Sequence, residues 1–311
     1  MKCMNGKWCP TTIFRSDSVN IGFIGLGIMG KPMSVNLLKN NQNVFISSSN
    51  DDTNDELANY GAKVMADYGE VAEQAEVIIL MLPDSKEVRE VVIDSELYKK
   101  FNPGTTVVDM SSINPETSKE VFNTINPDGH QYIDAPVSGG EEKAIDGTLS
   151  IMAGGDEATF NKIKPLLQYM GASIVHTGPV GSGNSVKLVN QVIVANNIAA
   201  LAEGITLAKE LDLDLNTVYN AINGGLAGST VMDTKFKKMS EEKFEPGFKM
   251  KLHMKDLNNA FESVDKDFSE KIPITSQMKE IMADLLEDDS VGEQDHSALF
   301  RHYTNNKDYR Q

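Results

Sequence analysis

From Val19 onward the chain alternates short apolar runs with stretches whose apolar residues recur every three or four positions. "VNIGFIG" reads as a first strand and "IMGKPMSVNLLKNN" as the amphipathic helix after it. "NVFIS", "EVIILML" and "TTVVDM" are further runs of strand length, separated by helical patterns such as "DSKEVREVV" and "PETSKEVFNTI". Strands joined through helices run parallel, so the alternation predicts a doubly wound parallel sheet. "QYIDAPV", "TLSIMAGG" and "SIVHTG" extend it, with the helical "EATFNKIKPLLQYM" between the last two.

After Gly183 the strand pattern stops. A long helix is expected from about Ser185 to Leu211, apolar on almost every side and therefore buried. "LNTVYNAING", "FKMKLHMKDLNNAFESV" and "TSQMKEIMADLLEDD" follow with helical spacing. The expected organisation is an extension over 1–18 without order, an α/β domain over 19–182 and an all-helical domain over 183–311. The glycine-rich "GPVGSGN" marks the boundary.

Charge narrows the partners. With 29 basic and 45 acidic residues the net charge is −16, so nucleic acid and anionic membrane surfaces are excluded as expected partners. An anionic small molecule stays open if local donors overcome the field. Only Arg15, Arg89, Arg301 and Arg310 could supply bidentate clamps, so lysines, hydroxyls or backbone amides must take that part. Cys3 and Cys9 are the only cysteines, which fits a reducing, cytoplasmic setting. The first residues lack an apolar signal-peptide core, and Asn190, Asn196, Asn197 and Glu203 interrupt the long helix, so no membrane span is expected. The five histidines, His130, His176, His253, His296 and His302, show no metal-ligand spacing, and no metal is expected.

Gly25, Gly27 and Gly30 in "GFIGLGIMG" have the G-x-G-x-x-G spacing, placed where a strand ends and a helix begins. The first glycine permits the tight turn, the second lets a pyrophosphate approach the backbone, and the third lets helix and strand pack closely. The helix N-terminus adds free N–H groups. A purely structural turn would share this spacing, but its place between strand and helix makes the dinucleotide turn of a Rossmann-type domain the expectation, with Leu26, Ile28 and Met29 completing it. The end of the second strand should grip the adenosine ribose. It offers Ser48, Ser49 and Asn50, with neither an acid for a 2′-hydroxyl nor an arginine for a 2′-phosphate, so NAD and NADP both stay open.

Leu82 and Pro83 in "MLPDS", and Ser112 in "DMSSINP", fall at carboxyl ends of strands, where ligands bind. Pro83 could equally be a strand terminator and Ser112 a helix N-cap. Ser138, Gly139 and Gly140 in "DAPVSGG" could turn backbone amides toward a carboxylate or form a plain tight turn. Lys187, Asn190 and Gln191 share one face of the long helix, at the domain boundary. An exposed first turn would also accommodate Lys187. Taken with the two glycine turns, a position facing the cleft is the stronger expectation. Lys255 in "LHMKDL" could be half of an exposed ion pair with Asp256. His296 in "DHSAL" could line the cleft or be structural.

"GFIGLGIMGKPM", "DAPVSGG", "GSGNSVKLVNQ" and "KDL", in this order, resemble the β-hydroxyacid dehydrogenases. The likeness spans about Val19 to Tyr303. "KLVNQVIVANNIAALAEGITLA", "GGLAGSTV" and "DHSAL" look like the branch that reduces tartronate semialdehyde. The resemblance implies an NAD(P)H-dependent oxidoreductase acting on a small anionic semialdehyde or hydroxy acid, assembled as a homodimer or homotetramer. It implies Lys187 as the catalytic lysine and Ser138, Gly139 and Gly140 at the substrate carboxylate, with Asn190 or Gln191 positioning the substrate. Lys255 would lie near the nicotinamide, and Leu82, Pro83 and Ser112 on the cofactor. Two departures stand out: Gln191 occupies the place of the family's usual asparagine, and serines replace "DR" or "NR" at the second strand end. A nucleotide-binding module without catalysis is the contrasting class, and the presence of Lys187 argues against it.

Overall fold

The structure, a computed structural model, describes residues 18–304. The expectations for residues 1–17, Cys3 and Cys9 among them, and for 305–311 lie outside the described residues. Among the described residues, nine strands form one sheet: β1 Asn20–Ile24, β2 Asn43–Ile46, β3 Lys63–Val64, β4 Val77–Leu80, β5 Thr106–Asp109, β6 Gln131–Asp134, β7 Val137–Ser138, β8 Leu149–Gly155 and β9 Gly171–Gly178. Their order is 3-2-1-4-5-6-8-7, with β9 on the other side of β8. Helices α1 Gly30–Lys39, α2 Asp51–Asn59, α3 Tyr68–Gln74, α4 Ser85–Arg89, α5 Pro115–Ile125, α6 Gly140–Asp146 and α7 Glu157–Leu167 connect them.

Strand alternation divides the apolar residues between two layers of helices. Ile21, Phe23, Val77 and Ile79 face one layer with Met33, Leu37 and Phe160. Ile24, Ile78 and Leu80 face the other with Val71, Val88 and Val121. With both faces covered, the strands read as unbroken apolar runs. The sheet is parallel from β3 through β6. The sheet is thus mostly parallel, as expected of a doubly wound fold; β8 pairs in parallel with β9 and runs antiparallel to β6 and β7. "QYIDAPV" is not one strand. It breaks at Ala135–Pro136, where proline has no N–H for a ladder, and the chain resumes as β7.

Beyond Gly178 the described chain is helical: α8 Ser182–Glu210, α9 Leu215–Ile222, α10 Thr230–Ser240, α11 Met250–Glu262, α12 Pro273–Leu285 and α13 Asp289–Gly292. α10 was hidden behind the glycines of "GGLAGST"; Ser229 caps it by accepting from the Met232 N–H. Ala195, Ile198, Ala199, Ala202 and Ile205 of α8 form the spine of a core among these helices, packed by Met232 and Phe236 of α10, Leu257 of α11 and Met282 of α12. By length and composition alone α8 is apolar enough to cross a membrane despite its interrupting polar residues, a test that a buried core helix also meets, and this side of it is core. It is not buried all round either: Val186, Val189, Ile193, Leu207 and Leu211 are 40–61% exposed.

Candidate active site

The glycine turn between β1 and α1 has the shape a dinucleotide needs. Gly25 takes φ +98°, and a Cβ on it would meet the Met81 carbonyl oxygen at 2.3 Å. A Cβ on Gly30 would stand 1.8 Å from the Gly25 carbonyl oxygen, so only glycine lets α1 start there. Gly27 is different: a Cβ there would meet nothing within 4 Å. The protein therefore does not require glycine at 27 for its own packing, and the open space lies over the start of α1. No side chain caps α1 and no acidic residue sits in its first turn, so its N–H groups stay available to an anion. These residues fit the diphosphate of a dinucleotide. Leu26 and Met29 are half-buried in the turn, and Ile28 is exposed. At the end of β2, the Asn50 side chain caps α2 by accepting from the Thr53 N–H, and the Ser48 hydroxyl accepts from the Asn50 N–H. Asn50 is thus engaged locally, while Ser49 remains exposed.

The first turn of α8 is fixed to the sheet by a carboxylate that the sequence reading did not single out. Asp134, fully buried at the end of β6, accepts from the Gly181 and Asn184 N–H groups, each at 2.8 Å. Gly183 packs so closely that a Cβ would stand 2.4 Å from the Met152 carbonyl oxygen. The Asn184 side chain accepts from the Ile113 N–H at 3.0 Å and donates to the Ser118 hydroxyl at 3.1 Å. Burial pushes the Asp134 carboxyl up to about 7, against the pull of those N–H bonds. Asp109, at the end of β5, is pushed up to about 6 by the same cause.

One turn further along α8 lies Lys187, 6% exposed. Burial pushes its ammonium down to about 8, while the Asp256 carboxylate raises it and Lys255 lowers it. A chain of polar contacts passes beside it. The Ser138 hydroxyl lies 3.5 Å from the Asn190 side-chain oxygen, and the Asn190 amide donates to Gln191 at 2.8 Å. Gln191 donates to Asp256 at 2.6 Å. The Lys255 ammonium lies 3.1 Å from Asp256 and donates to the backbone carbonyls of Pro83 (2.8 Å) and Ser112. Residues from the ends of three strands, β4, β5 and β7, and from two helices, α8 and α11, thus meet in one place.

Most sequence candidates converge here, with two corrections. The Lys255–Asp256 pair is not exposed, since their side chains are only 15% and 1% accessible. Ser112 is not a helix cap, because Asn114 fills that role for α5. Gly139, at φ +142°, and Gly140, at φ +73°, shape the turn after β7, followed by the exposed Glu141 and Glu142. Leu82 is half-buried and donates its N–H to the Ser111 hydroxyl at 2.9 Å. Asp134, Asn184 and Asp256 gave no periodic signal; a polar residue inside an apolar run ("YIDAPV", "GSGNSV") was the only trace. Among the described residues no cluster could hold a metal ion.

Comparisons with known proteins give the family. Residues 20–178 match the NAD binding domain of 6-phosphogluconate dehydrogenase, and residues 181–303 match the NAD-binding domain of NADP-dependent 3-hydroxyisobutyrate dehydrogenase. The chain is 39% identical to 2-hydroxy-3-oxopropionate reductase of Escherichia coli (strain K12), over 90% of this chain and 96% of that one. It is 36% identical to 2-(hydroxymethyl)glutarate dehydrogenase of Eubacterium barkeri, over 85% and 88%. Among solved structures, Mycobacterium tuberculosis 3-hydroxyisobutyrate dehydrogenase with L-serine superposes with a TM-score of 0.81 at 29% identity, covering 93% of this chain and 100% of that one. The chain belongs to the β-hydroxyacid dehydrogenase family. It is an NAD(P)-dependent oxidoreductase acting on a CH–OH group.

Proposed function

We propose that the chain reduces 2-hydroxy-3-oxopropanoate (tartronate semialdehyde) to glycerate, reversibly, with Lys187 as the general acid. The observation that carries this is the Lys187 ammonium, buried near the start of α8 and brought to about 8. A lysine in water is too weak an acid to share its proton at neutral pH, and desolvation brings it into range. The turn from Gly25 to Gly30 and the amides of α1 hold the diphosphate, with Leu82, Pro83 and Ser112 along the cofactor. Ser138, Gly139 and Gly140 bind the substrate carboxylate, and Asn190 and Gln191 orient its hydroxyl and carbonyl. Reduced nicotinamide, when bound, supplies the hydride. Lys187 donates its proton to the carbonyl oxygen as negative charge gathers there, and Asp256 keeps the ammonium charged until then. The likeness to the E. coli reductase supports the substrate over the methylmalonate semialdehyde of a 3-hydroxyisobutyrate dehydrogenase. The exposed apolar side of α8 supports a homodimer or a larger homo-oligomer.

Oxidation of NADH and of NADPH, each measured with tartronate semialdehyde and with methylmalonate semialdehyde, tests the proposal. Higher kcat/KM on the second substrate would overturn the substrate assignment. Lys187→Ala should lower kcat by about 10²–10⁴-fold while nucleotide affinity stays the same. If turnover survives, Lys187 is not the acid.

A further inference from the structure

His253 and His296 lie 43 positions apart in the chain, with no metal-ligand spacing between them. In the structure their Nδ1 atoms are 2.9 Å apart, with both residues at most 5% exposed. The contact fixes where the protons are. His253 Nε2 is 3.1 Å from the Gln191 backbone carbonyl, which can only accept, so His253 carries its proton on Nε2. Its Nδ1 is then the acceptor, and His296 donates from Nδ1. Protonation of His253 would set two N–H groups face to face. Burial holds both rings well toward the neutral form.

The pair sits directly behind the site. His253 and Asp256, three residues apart on one face of α11, both hold Gln191: the histidine takes its backbone carbonyl and the aspartate its side-chain amide. His296 is in turn fixed at its own backbone, donating its N–H to the Phe248 carbonyl at 2.8 Å. Its neighbour Asp295 is pinned by the Lys235 ammonium and the N–H groups of Gly247 and Phe248 at 2.9–3.1 Å. The Phe248 ring packs against both imidazoles, at 5.7 and 5.3 Å.

We propose that His253 and His296 are positioning residues, a neutral two-ring unit that holds Gln191 and Asp256 in register with Lys187. The proposal rests on Lys187 being the general acid. Without the unit, α11 loses one of its two hydrogen bonds to Gln191 of α8, and Asp256 drifts from the ammonium it supports.

The test compares His253→Leu and His296→Leu with His253→Gln, which keeps a donor near Nε2, and His296→Asn, which keeps one near Nδ1. In folded leucine variants kcat should fall about tenfold or more, with the dissociation constant for NAD(P)H unchanged. The basic limb of the pH profile should move down by about one unit as Lys187 loses Asp256. The other charged groups facing the pair, Asp295 and Lys235, are untouched by these variants. The Gln and Asn variants should recover most of kcat. Unchanged kcat and an unchanged pH profile in a folded leucine variant would overturn the proposal. If the leucine variants do not fold, nitrogen-15 NMR of labelled histidine in the unaltered protein decides. An Nε2–H tautomer for His253 with an Nδ1–H tautomer for His296 supports the unit, and any other arrangement at neutral pH overturns it. Activity in Lys187→Ala would instead sink the general-acid assignment, an outcome separate from all of these.

Discussion

Lys187 owes its proposed role to where its ammonium is kept. Its folded value of about 8 lies below the ordinary lysine value, so the unfolded chain binds the proton more tightly. Stability from this group is therefore present above the unfolded pKa and lost as pH falls through about 8. Lys187→Met should then stabilise the fold at pH 7 by on the order of 1–3 kcal/mol, with the gain fading as pH rises from about 8 toward the unfolded pKa. A variant less stable at pH 7 would contradict the burial account. Activity follows the same titration with opposite signs in the two directions. Reduction needs the ammonium and should decline as pH rises through about 8, whereas oxidation needs the free amine and should increase there. Profiles of kcat/KM in both directions check this; parallel profiles would rule out a shared lysine.

At the scale of elements, two turns make separable predictions. Gly27 faces open space whereas Gly30 abuts the Gly25 carbonyl. Gly27→Ala should fold with nearly unchanged stability but bind NAD(P)H more weakly, because the methyl group fills the space left for the diphosphate. Gly30→Ala should lose stability itself. Thermal melts beside nucleotide titrations separate the two, and equal behaviour of the variants would show that the cradle has been misread. The start of α8 depends on Asp134 accepting two N–H groups. Asp134→Asn points a donor at one of them, which should cost about 1–3 kcal/mol and lower kcat by loosening Lys187. A denaturant melt and steady-state kinetics on the same sample measure both effects.

For the molecule as a whole, Val186, Val189, Ile193 and Leu207 of α8, with Leu211 at its C-cap, form an exposed apolar line that a partner could cover. If copies of the chain pair through it, Ile193→Glu should shift the mass measured by light scattering to that of the monomer. An unaltered mass would place the interface elsewhere.

The sequence by itself determined the alternation of strands and helices, the glycine turn, the change from strands to helices ahead of α8 and the face shared by Lys187, Asn190 and Gln191. Each of these is local, set by a period of two or 3.6 residues or by the conformational freedom of a few glycines. Only the tertiary structure decided that β8 runs antiparallel to β6, that α8 leaves one side open, and that Asp134 reaches the first turn of α8. The meeting of His253 with His296 belongs with them. Periodicity says which face of an element is apolar but not what covers it. A buried polar residue looks like an interruption in the pattern until the partner satisfying it, tens of residues away, is brought alongside.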